Sequence, residues 1–350
     1  MTDVIRVDRT RPDCDAISKA ADCLRSGGLV AFPTETVYGL GAHALSRAAV
    51  RRLFEAKGRP PNDPLIVHVA GFDQMPALAS DVPAVAATLA NRFWPGPLTL
   101  VVRRAPSVPS EVTAGLDTVA IRVPAHPVAQ ALLSAAQVPV AAPSANLFSR
   151  PSPTCASHVL EDLDGRIDMV LDAGPTDAGV ESTVLDLTSV PPMVLRPGVV
   201  GIEALRAIVP DVQLRGTVSG SDTGPVASPG LLAQHYAPRT PMTLYHGDAV
   251  KSASALVNGV HEALAAGQHV GLLVTTEDAA PFRHLPVVIA ELGSEKDVEA
   301  VAARLYAALR ELDTGRLDII LTRDFPEQSG LWCAVRDRLR RASARHVKSS

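Results

Sequence analysis

The spacing of apolar residues divides the chain into two regions. Before residue 216, short apolar runs alternate irregularly with helical patterns, whereas after residue 241 strands and helices follow one another in a regular order. The runs of the first region are 29–32, 65–69, 98–102, 119–123, 138–141, 169–171 and 183–187, and those of the second are 243–245, 269–274, 286–290 and 317–321. The first pattern predicts an α/β domain with a large mixed sheet, and the second a small doubly wound α/β unit.

Three helix starts are marked by polar residues or proline. Ser46 is an expected N-cap for the pattern that extends to Ala56, and Pro127 stands at a first-turn position before the pattern at 128–136. Ser294 with Asp297 resembles a capping box that opens a helix over 295–312.

The two regions are separated by a segment rich in glycine, serine, threonine and proline at 216–230. Such a composition is typical of a linker. We therefore expect a first domain over 1–210, a linking segment over 211–241 and a small C-terminal domain over 242–350.

The bulk composition excludes several classes of protein. With 350 residues, 47% of them hydrophobic, two domains are expected, and the net charge of −4 argues against bulk electrostatic binding to nucleic acid or an anionic membrane. Four cysteines without a CxxC pair indicate neither a zinc site nor a disulfide framework. No signal pattern and no apolar run near the ~20 residues of a membrane span are present, so we expect a cytoplasmic protein without membrane contact.

A short cationic segment, 57–64, is the most informative part of the chain. Lys57 is the only lysine between residues 20 and 250, and it stands beside Arg59 in a stretch with three prolines, at 60, 61 and 64. An ammonium next to a guanidinium in a rigid loop suits phosphate oxygens. A solvated turn after a helix is the alternative.

Other polar clusters follow predicted strands, at 32–41, 142–152, 179–183 and 195–198. Gly39 and Gly41 are expected to bring the backbone close to a ligand. Alternation places Arg122 on the face opposite its strand neighbours, where it either meets solvent or lines a cleft and suits a carboxylate. A lone strand histidine such as His68 is more often a satisfied core residue than a ligand contact.

The chain contains neither a GxxxxGK[ST] loop nor a GxGxxG turn. Ser144 has no triad or GxSxG context, which favours a ligand contact over a nucleophile. The polar residues are rich in phosphate and carboxylate binders and poor in acid/base pairs, as expected for phosphoryl or nucleotidyl transfer. The phosphates would require Mg²⁺, held largely by the nucleotide itself.

The motifs PTETVYGLG, KGRPPNDPL, FWPGPLTLV, IRVP, PSAN, GVESTV and LRPG occur in this order, followed by SPG and HYAP. In order and spacing they resemble the YrdC-like family, in particular its long two-domain threonylcarbamoyl-AMP synthases. The resemblance implies a twisted mixed sheet with a deep cavity and a small C-terminal Rossmann-like α/β domain. It also implies formation of threonylcarbamoyl-AMP and pyrophosphate from L-threonine, bicarbonate and ATP, for a tRNA modification completed by a downstream threonylcarbamoyl transferase machinery, with possible tRNA contact.

The same resemblance assigns roles to individual residues. The L-threonine contacts would be Thr36, His68, Arg122, Ala142 and Ser182. The ATP contacts would be Lys57, Arg59, Asn62, Thr118, Ser144, Ser152, Arg196, His235 and Tyr236. Lys57 and Arg59 would be the catalytic cations, and 211–241 would form a lid. Leu231–Gln234 departs from the methionine and basic residue usual in the family.

Two alternatives remain open at the level of sequence. A basic face made by five arginines could grip double-stranded RNA without turnover; these are Arg47, Arg51, Arg52, Arg59 and Arg92. The related carbamoyltransferase chemistry of hydrogenase maturation proteins is the other, but the zinc-binding CxxC pairs expected there are missing.

Overall fold

The computed structural model describes residues 1–216, 235–325 and 329–349, which form two compact units. The first unit contains Met1–Phe148 and the described residues from Ser152 to 216. The second contains Ser149–Pro151 and the described residues after 234. The linker expected at 216–230 lies, except for its first residue, outside the described residues.

The first unit contains a mixed sheet with helices on it. Its strands are β1 Asp3–Arg6, β2 Val30–Pro33, β3 Tyr38–His43, β4 Ile66–His68, β5 Ala79–Asp81, β6 Leu98–Arg104, β7 Thr118–Arg122, β8 Val140–Ala141, β9 Met169–Asp172, β10 Thr183–Asp186, β11 Met193–Arg196 and β12 Gln213–Leu214. Its helices are α1 Cys14–Arg25, α2 Arg47–Lys57, α3 Ala84–Phe93, α4 Pro127–Ala136, α5 Ala156–Leu163 and α6 Ile202–Arg206, with a 3₁₀ turn at Phe72–Ala77.

The strand order is β1-β9-β2-β3-β8-β4-β7-β6-β10-β11-β12, and β5 pairs with β6 outside this path. Parallel pairs, such as β4 with β7 and β6 with β10, are interspersed with antiparallel pairs, such as β6 with β7. The predicted mixed α/β sheet is therefore confirmed.

The two faces of the central strands differ in character. Val67 and Ile121 point into the main core of the unit together with Leu100. The alternate residues of the same strands form a separate small apolar cluster on the other face, consisting of Ile66, Val101, Ala120, Val184 and Leu195. Because side chains alternate along a strand, the polar residues two positions away from this cluster share its face.

The helix boundaries follow from local capping. Ser46 caps α2 by accepting a hydrogen bond from the Ala49 amide, as expected from the sequence. Gly58 ends α2 in the left-handed region at φ 61°, which glycine adopts without strain. The helix is one residue longer than its pattern predicts, and Lys57 is its last residue.

The second unit is a five-stranded parallel sheet. Its strands are β13 Met242–His246, β14 Val270–Val274, β15 Val288–Glu291, β16 Ile319–Arg323 and β17 Arg345–Lys348, in the order β15-β14-β16-β13-β17. Its helices are α7 Ala249–Ala265, α8 Thr276–Ala279, α9 Val298–Leu312 and α10 Trp332–Ala342, with a 3₁₀ turn at Ala280–Phe282. The expected C-terminal α/β domain is present.

One predicted cap in this unit is wrong. Helix α9 begins at Val298, and its N-cap is Asp297, whose carboxylate accepts the Ala300 amide. Ser294 instead donates to Glu277, so it forms no capping box. Asp and Ser are both good caps, and the tertiary contact with Glu277 decides between them.

No helix in the described parts of the chain is long and apolar enough to cross a membrane. The described residues also contain no group of three or more His, Cys, Asp or Glu side chains that could hold a metal ion.

Candidate active site

Parallel strands β4 and β7 place two of the predicted site residues side by side. In their register His68 pairs with Arg122, and both stand at the carboxyl ends of their strands. Both side chains share the face of Ile66 and Ala120, and both are almost completely buried. The structure therefore excludes a solvent-facing Arg122.

His68 is held as a neutral imidazole. Burial, reinforced by the positive charge of Arg122, lowers the pKa of His68 to about 3. Its Nδ1 atom is buried and has no hydrogen-bond partner among the described residues. The ring meets Phe32 edge-on, at 6.4 Å between centroids. A histidine with an unsatisfied ring nitrogen differs from the satisfied core histidine that sequence statistics favour.

The guanidinium of Arg122 is bound at two points. Nη2 donates to Glu35 Oε1 at 2.7 Å, and Nε donates to the Gly96 carbonyl at 3.3 Å. The second oxygen of Glu35 accepts the Ala125 amide at 3.0 Å. The sequence analysis did not identify Glu35, although it stands inside the PTETVYGLG motif.

Ser182, which directly precedes β10, links polar groups on the neighbouring strands of the same sheet. Its hydroxyl lies 2.8 Å from the hydroxyl of Thr99 and accepts Arg196 Nη2 at 3.2 Å. Arg196 also donates Nε and Nη2 to the Ser182 carbonyl. A predicted threonine contact and a predicted ATP contact thus touch directly.

Lys57 does not lie in an exposed loop, contrary to the expectation from its Gly/Pro-rich surroundings. It is 1% exposed, at the end of α2. Its Nζ donates to the carbonyl of Ser144 at 2.5 Å and to the carbonyl of Asn146. The side chain is buried because these carbonyls, in the segment after β8, satisfy the ammonium.

Arg59 is likewise buried, and Asp63 is its partner. Arg59 Nη2 lies 2.9 Å from Asp63 Oδ2, and the guanidinium also donates to the Asp63 and Pro64 carbonyls. Burial raises the pKa of the Asp63 carboxyl, and the positive charges of Arg59, Lys57 and Arg196 oppose that rise. The Asp63 carboxylate is thus subject to three positive charges, of which Arg59 is in direct contact with it. Asn62, beside it, has a buried Oδ1 without a hydrogen-bond partner among the described residues.

Thr118 marks the opposite end of the paired strands. It is the first residue of β7, two positions before Ala120, whereas Pro64 stands two positions before the paired Ile66. The step from Thr118 to Arg122 is four positions along extended strand, which corresponds to ~13 Å. The Arg59–Asp63 cluster and Thr118 therefore lie toward the amino ends of β4 and β7, and His68 and Arg122 toward the carboxyl ends.

The segment after β8 crosses between these two ends. The Ala142 amide donates to the Ile66 carbonyl at 2.9 Å, and Ser144 pairs with Gly39 of β3. A Cβ at Gly41 would meet the Phe32 and Val140 side chains at 2.9 Å. Its small size is required for packing.

Thr36 and Ser152 are both completely buried. The hydroxyl of Thr36 lies 2.8 Å from that of Thr34 in the turn between β2 and β3. Ser152 donates to Glu181 Oε1 at 2.6 Å. Glu181 precedes Ser182 in the GVESTV motif, so this bond connects Ser152 to the segment that leads into β10.

His235 and Tyr236 belong to the second unit. Tyr236 is buried, with its ring 5.6 Å from Tyr306 and the Arg338 guanidinium 5.3 Å above it. His235 contacts Tyr236 edge-on, at 4.1 Å between centroids. Residues 217–234 of the expected lid lie outside the described residues.

Three site residues escaped the sequence analysis, namely Glu35, Asp63 and Thr99. A carboxylate or hydroxyl of this kind looks like an ordinary turn or strand residue until its partner is known, and these partners are Arg122, Arg59 and Ser182. Glu35 and Asp63 stand within the motifs PTETVYGLG and KGRPPNDPL, which the sequence singled out for other residues. Their position next to Thr36 and Asn62 was the available signal.

The site thus combines a buried cation cluster at one end of two paired strands with a guanidinium and a neutral imidazole at the other. Such an arrangement is typical of an α/β enzyme that holds an anionic nucleotide and a carboxylate-bearing substrate in line. Comparison with known proteins supports this class.

One family model, described as "Telomere recombination", matches residues 22–198, and another, described as "Threonylcarbamoyl-AMP synthase, C-terminal domain", matches residues 200–344. The threonylcarbamoyl-AMP synthase of Pyrococcus abyssi is 43% identical over 348 residues, 99% of each chain. That of Bacillus subtilis is 44% identical over 332 residues, 95% of this chain and 94% of the relative. The crystal structure of P. abyssi Sua5 complexed with L-threonine superposes with a TM-score of 0.93 at 42% identity, and each chain is covered completely.

The chain belongs to the threonylcarbamoyl-AMP synthase family. Both its units are included in the similarity, so the resemblance recognised from the motifs is confirmed over the whole chain.

Proposed function

We propose that this chain is an L-threonylcarbamoyladenylate synthase, which makes threonylcarbamoyl-AMP and pyrophosphate from L-threonine, bicarbonate and ATP. The observation that supports the proposal is the β4–β7 register, which sets His68 beside Arg122 at the carboxyl ends of these strands, while the paired Arg59 and Asp63 lie toward their amino ends. Arg196 donates to Ser182 and so connects the proposed phosphate contacts with the proposed threonine contacts, as expected when two substrates are held next to each other. Similarity to named synthases over the full length supports it.

In this proposal the threonine end is formed by Arg122, His68 and Ser182. Arg122 binds the substrate carboxylate, because a guanidinium matches a carboxylate in shape and charge. His68, being neutral, supplies one ring nitrogen as acceptor and one as donor without adding charge. Thr36 contributes a hydroxyl, and Ala142 contributes backbone.

The ATP end is formed by Lys57, Arg59 and Arg196. These cations stabilise the charge that develops on the phosphates when pyrophosphate leaves. The remaining proposed nucleotide contacts are Asn62, Thr118, Ser144, Ser152, His235 and Tyr236. We propose that Mg²⁺ accompanies ATP on its phosphates, since the carboxylate within the cation cluster, Asp63, is paired with Arg59.

The reaction then needs no protein nucleophile. The threonine ammonium group first loses a proton, and the resulting amine condenses with bicarbonate to give a carbamate and water. A carbamate oxygen attacks the α-phosphorus, a new P–O bond forms, and the bond to the leaving pyrophosphate breaks. Because a carbamate decomposes readily in water, the enzyme gains from holding both substrates before the intermediate forms.

We further propose that the 211–241 segment acts as a lid, that 1–210 and 242–350 are separate domains, and that the product passes to a tRNA threonylcarbamoyl transferase machinery, with possible tRNA contact. Use of ATP for a tRNA-directed product favours a cytoplasmic location.

A substrate-omission assay tests the function. Pyrophosphate release from ATP is expected only when L-threonine and bicarbonate are both present. Release that is independent of either substrate would contradict the proposal.

The alternative, a double-stranded RNA-binding module, is not favoured by the structure. Arg47 and Arg51 form ion pairs with Glu111, and Arg52 with Asp168. Arg59 is buried and therefore contributes nothing to a basic surface. Most of the proposed face is consequently neutralised or inaccessible.

A further inference from the structure

Glu35 has no role in the reaction as proposed above, yet it is bound to the arginine at the threonine end. Its Oε1 accepts Arg122 Nη2 at 2.7 Å, and the side chain is only 14% exposed. An ion pair so protected from solvent is screened much less than a surface pair. The Glu35–Arg122 ion pair is therefore stronger than a surface ion pair of the same geometry.

The Glu35 carboxylate is itself fixed in place. Oε2 accepts the Ala125 amide at 3.0 Å, and the main-chain carbonyl of Glu35 accepts the Ala178 amide at 2.9 Å. Both carboxylate oxygens and the backbone are thus anchored to segments that border the site. A residue held at three points acts as a rigid acceptor.

The contacts of Arg122 occupy one edge of its planar guanidinium. Nε, bound to the Gly96 carbonyl, and Nη2, bound to Glu35, lie on the same edge of the group. Nη1 has no hydrogen-bond partner among the described residues. The second N–H of Nη2 lies on the same edge of the guanidinium as Nη1. Two acceptors on one edge fix the plane and leave the other edge for a bidentate carboxylate.

We propose that Glu35 is a positioning residue that fixes the orientation of Arg122 for the carboxylate of the amino-acid substrate; this rests on the proposed function. Glu35 stays bound to Arg122 when the substrate binds, because the two carboxylates use different edges of the guanidinium. Rigid presentation of the fork lowers the entropy lost when the substrate binds.

The test compares Glu35→Ala and Glu35→Gln with Glu111→Ala, which removes a carboxylate from an arginine pair outside the site. Titration calorimetry measures L-threonine and ATP binding separately. Glu35→Ala should weaken L-threonine about 10- to 100-fold, as for loss of a charged hydrogen bond, and leave ATP within about twofold. Glu35→Gln, which keeps one acceptor, should show a smaller loss of the same kind if Glu35→Ala does not fold. Glu111→Ala should match the wild type for both ligands.

A double-mutant cycle with Arg122→Lys distinguishes action through Arg122 from a direct effect. If Glu35 acts only through that guanidinium, Glu35→Ala should add little to the loss of L-threonine affinity once Arg122 is lysine. Unchanged L-threonine affinity in Glu35→Ala, or tighter binding because Glu35 competes with the substrate, would overturn the inference. If the wild-type protein itself bound no L-threonine, the proposed function would fail instead.

Discussion

Lys57 Nζ lies 2.5 Å from the carbonyl oxygen of Ser144 and also donates to Asn146, so that the end of α2 is tied to the segment after β8. The lysine is therefore both a structural tie and a member of the cation cluster around Asp63. Substitution of Lys57 should therefore affect both stability and turnover, and the two effects can be measured separately.

Lys57→Ala should lower both stability and turnover. Two buried carbonyls lose their donor, which should reduce the free energy of unfolding by about 2–3 kcal/mol. Loss of a positive charge near the phosphates should reduce pyrophosphate release ~10²-fold or more. Denaturant unfolding and the release assay measure the two effects. Lys19→Ala, which removes an exposed lysine paired with Asp3, is the control and should change neither. A near-wild-type rate in Lys57→Ala would remove Lys57 from the proposed ATP end.

Arg122→Lys should weaken L-threonine more than ATP. Lysine keeps the charge but loses the planar fork and its edge contacts with Glu35 and Gly96. Binding titrations with each substrate measure the difference. Equal weakening of both substrates would show that Arg122 does not serve the threonine end.

The neutral state of His68 makes stability depend on pH. Its pKa is lowered from 6.5 to about 3 in the folded protein, so between these values the unfolded chain binds more protons. Unfolding free energy should therefore rise with pH through this window and level off above it, with His68 contributing about 2 kcal/mol between pH 5 and pH 7.5.

His68→Gln should reduce that pH dependence, as measured by urea unfolding at both pH values. The matched control is His261→Gln, at an exposed position of helix α7, which should keep the wild-type dependence. A slope in His68→Gln equal to that of the wild type would contradict a buried, neutral His68.

A chain that ends at residue 216 should fold on its own. All strands from β1 to β12, and the apolar clusters on both faces of their sheet, lie before that point. Without 217–350 it should accumulate less product, because nothing then covers the carbamate. Thermal unfolding and product yield check the two statements. Loss of a cooperative unfolding transition would contradict independent folding of the shortened chain. An undiminished product yield would contradict the proposed lid.

The sequence predicts the sheet better than it predicts the environment of the site. Runs such as 98–102 form strands because their apolar residues fill a core, and the pattern of apolar residues in the sequence reflects that packing directly. Strand β3 was missed because Gly39 and Gly41 looked like ligand-approach glycines. Burial of Lys57 could not be read from its Gly/Pro-rich surroundings, since the carbonyls that satisfy it lie 87 and 89 residues away.

Partner assignments failed for the same reason. Arg122 and His68 were recognised by type, but Glu35 is 87 residues from Arg122 in sequence, and no local pattern joins them. The family motifs indicated segments of the chain, whereas register and long-range contacts decide which atoms meet.

Isotope-labelled bicarbonate tests the central claim most directly. When the protein is incubated with ATP, L-threonine and bicarbonate labelled with a heavy carbon, mass spectrometry should detect threonylcarbamoyl-AMP shifted by one mass unit, together with an equal amount of pyrophosphate. The shift should be absent when L-threonine is omitted. Salt-dependent binding of double-stranded RNA with no labelled adenylate under any condition would contradict the account.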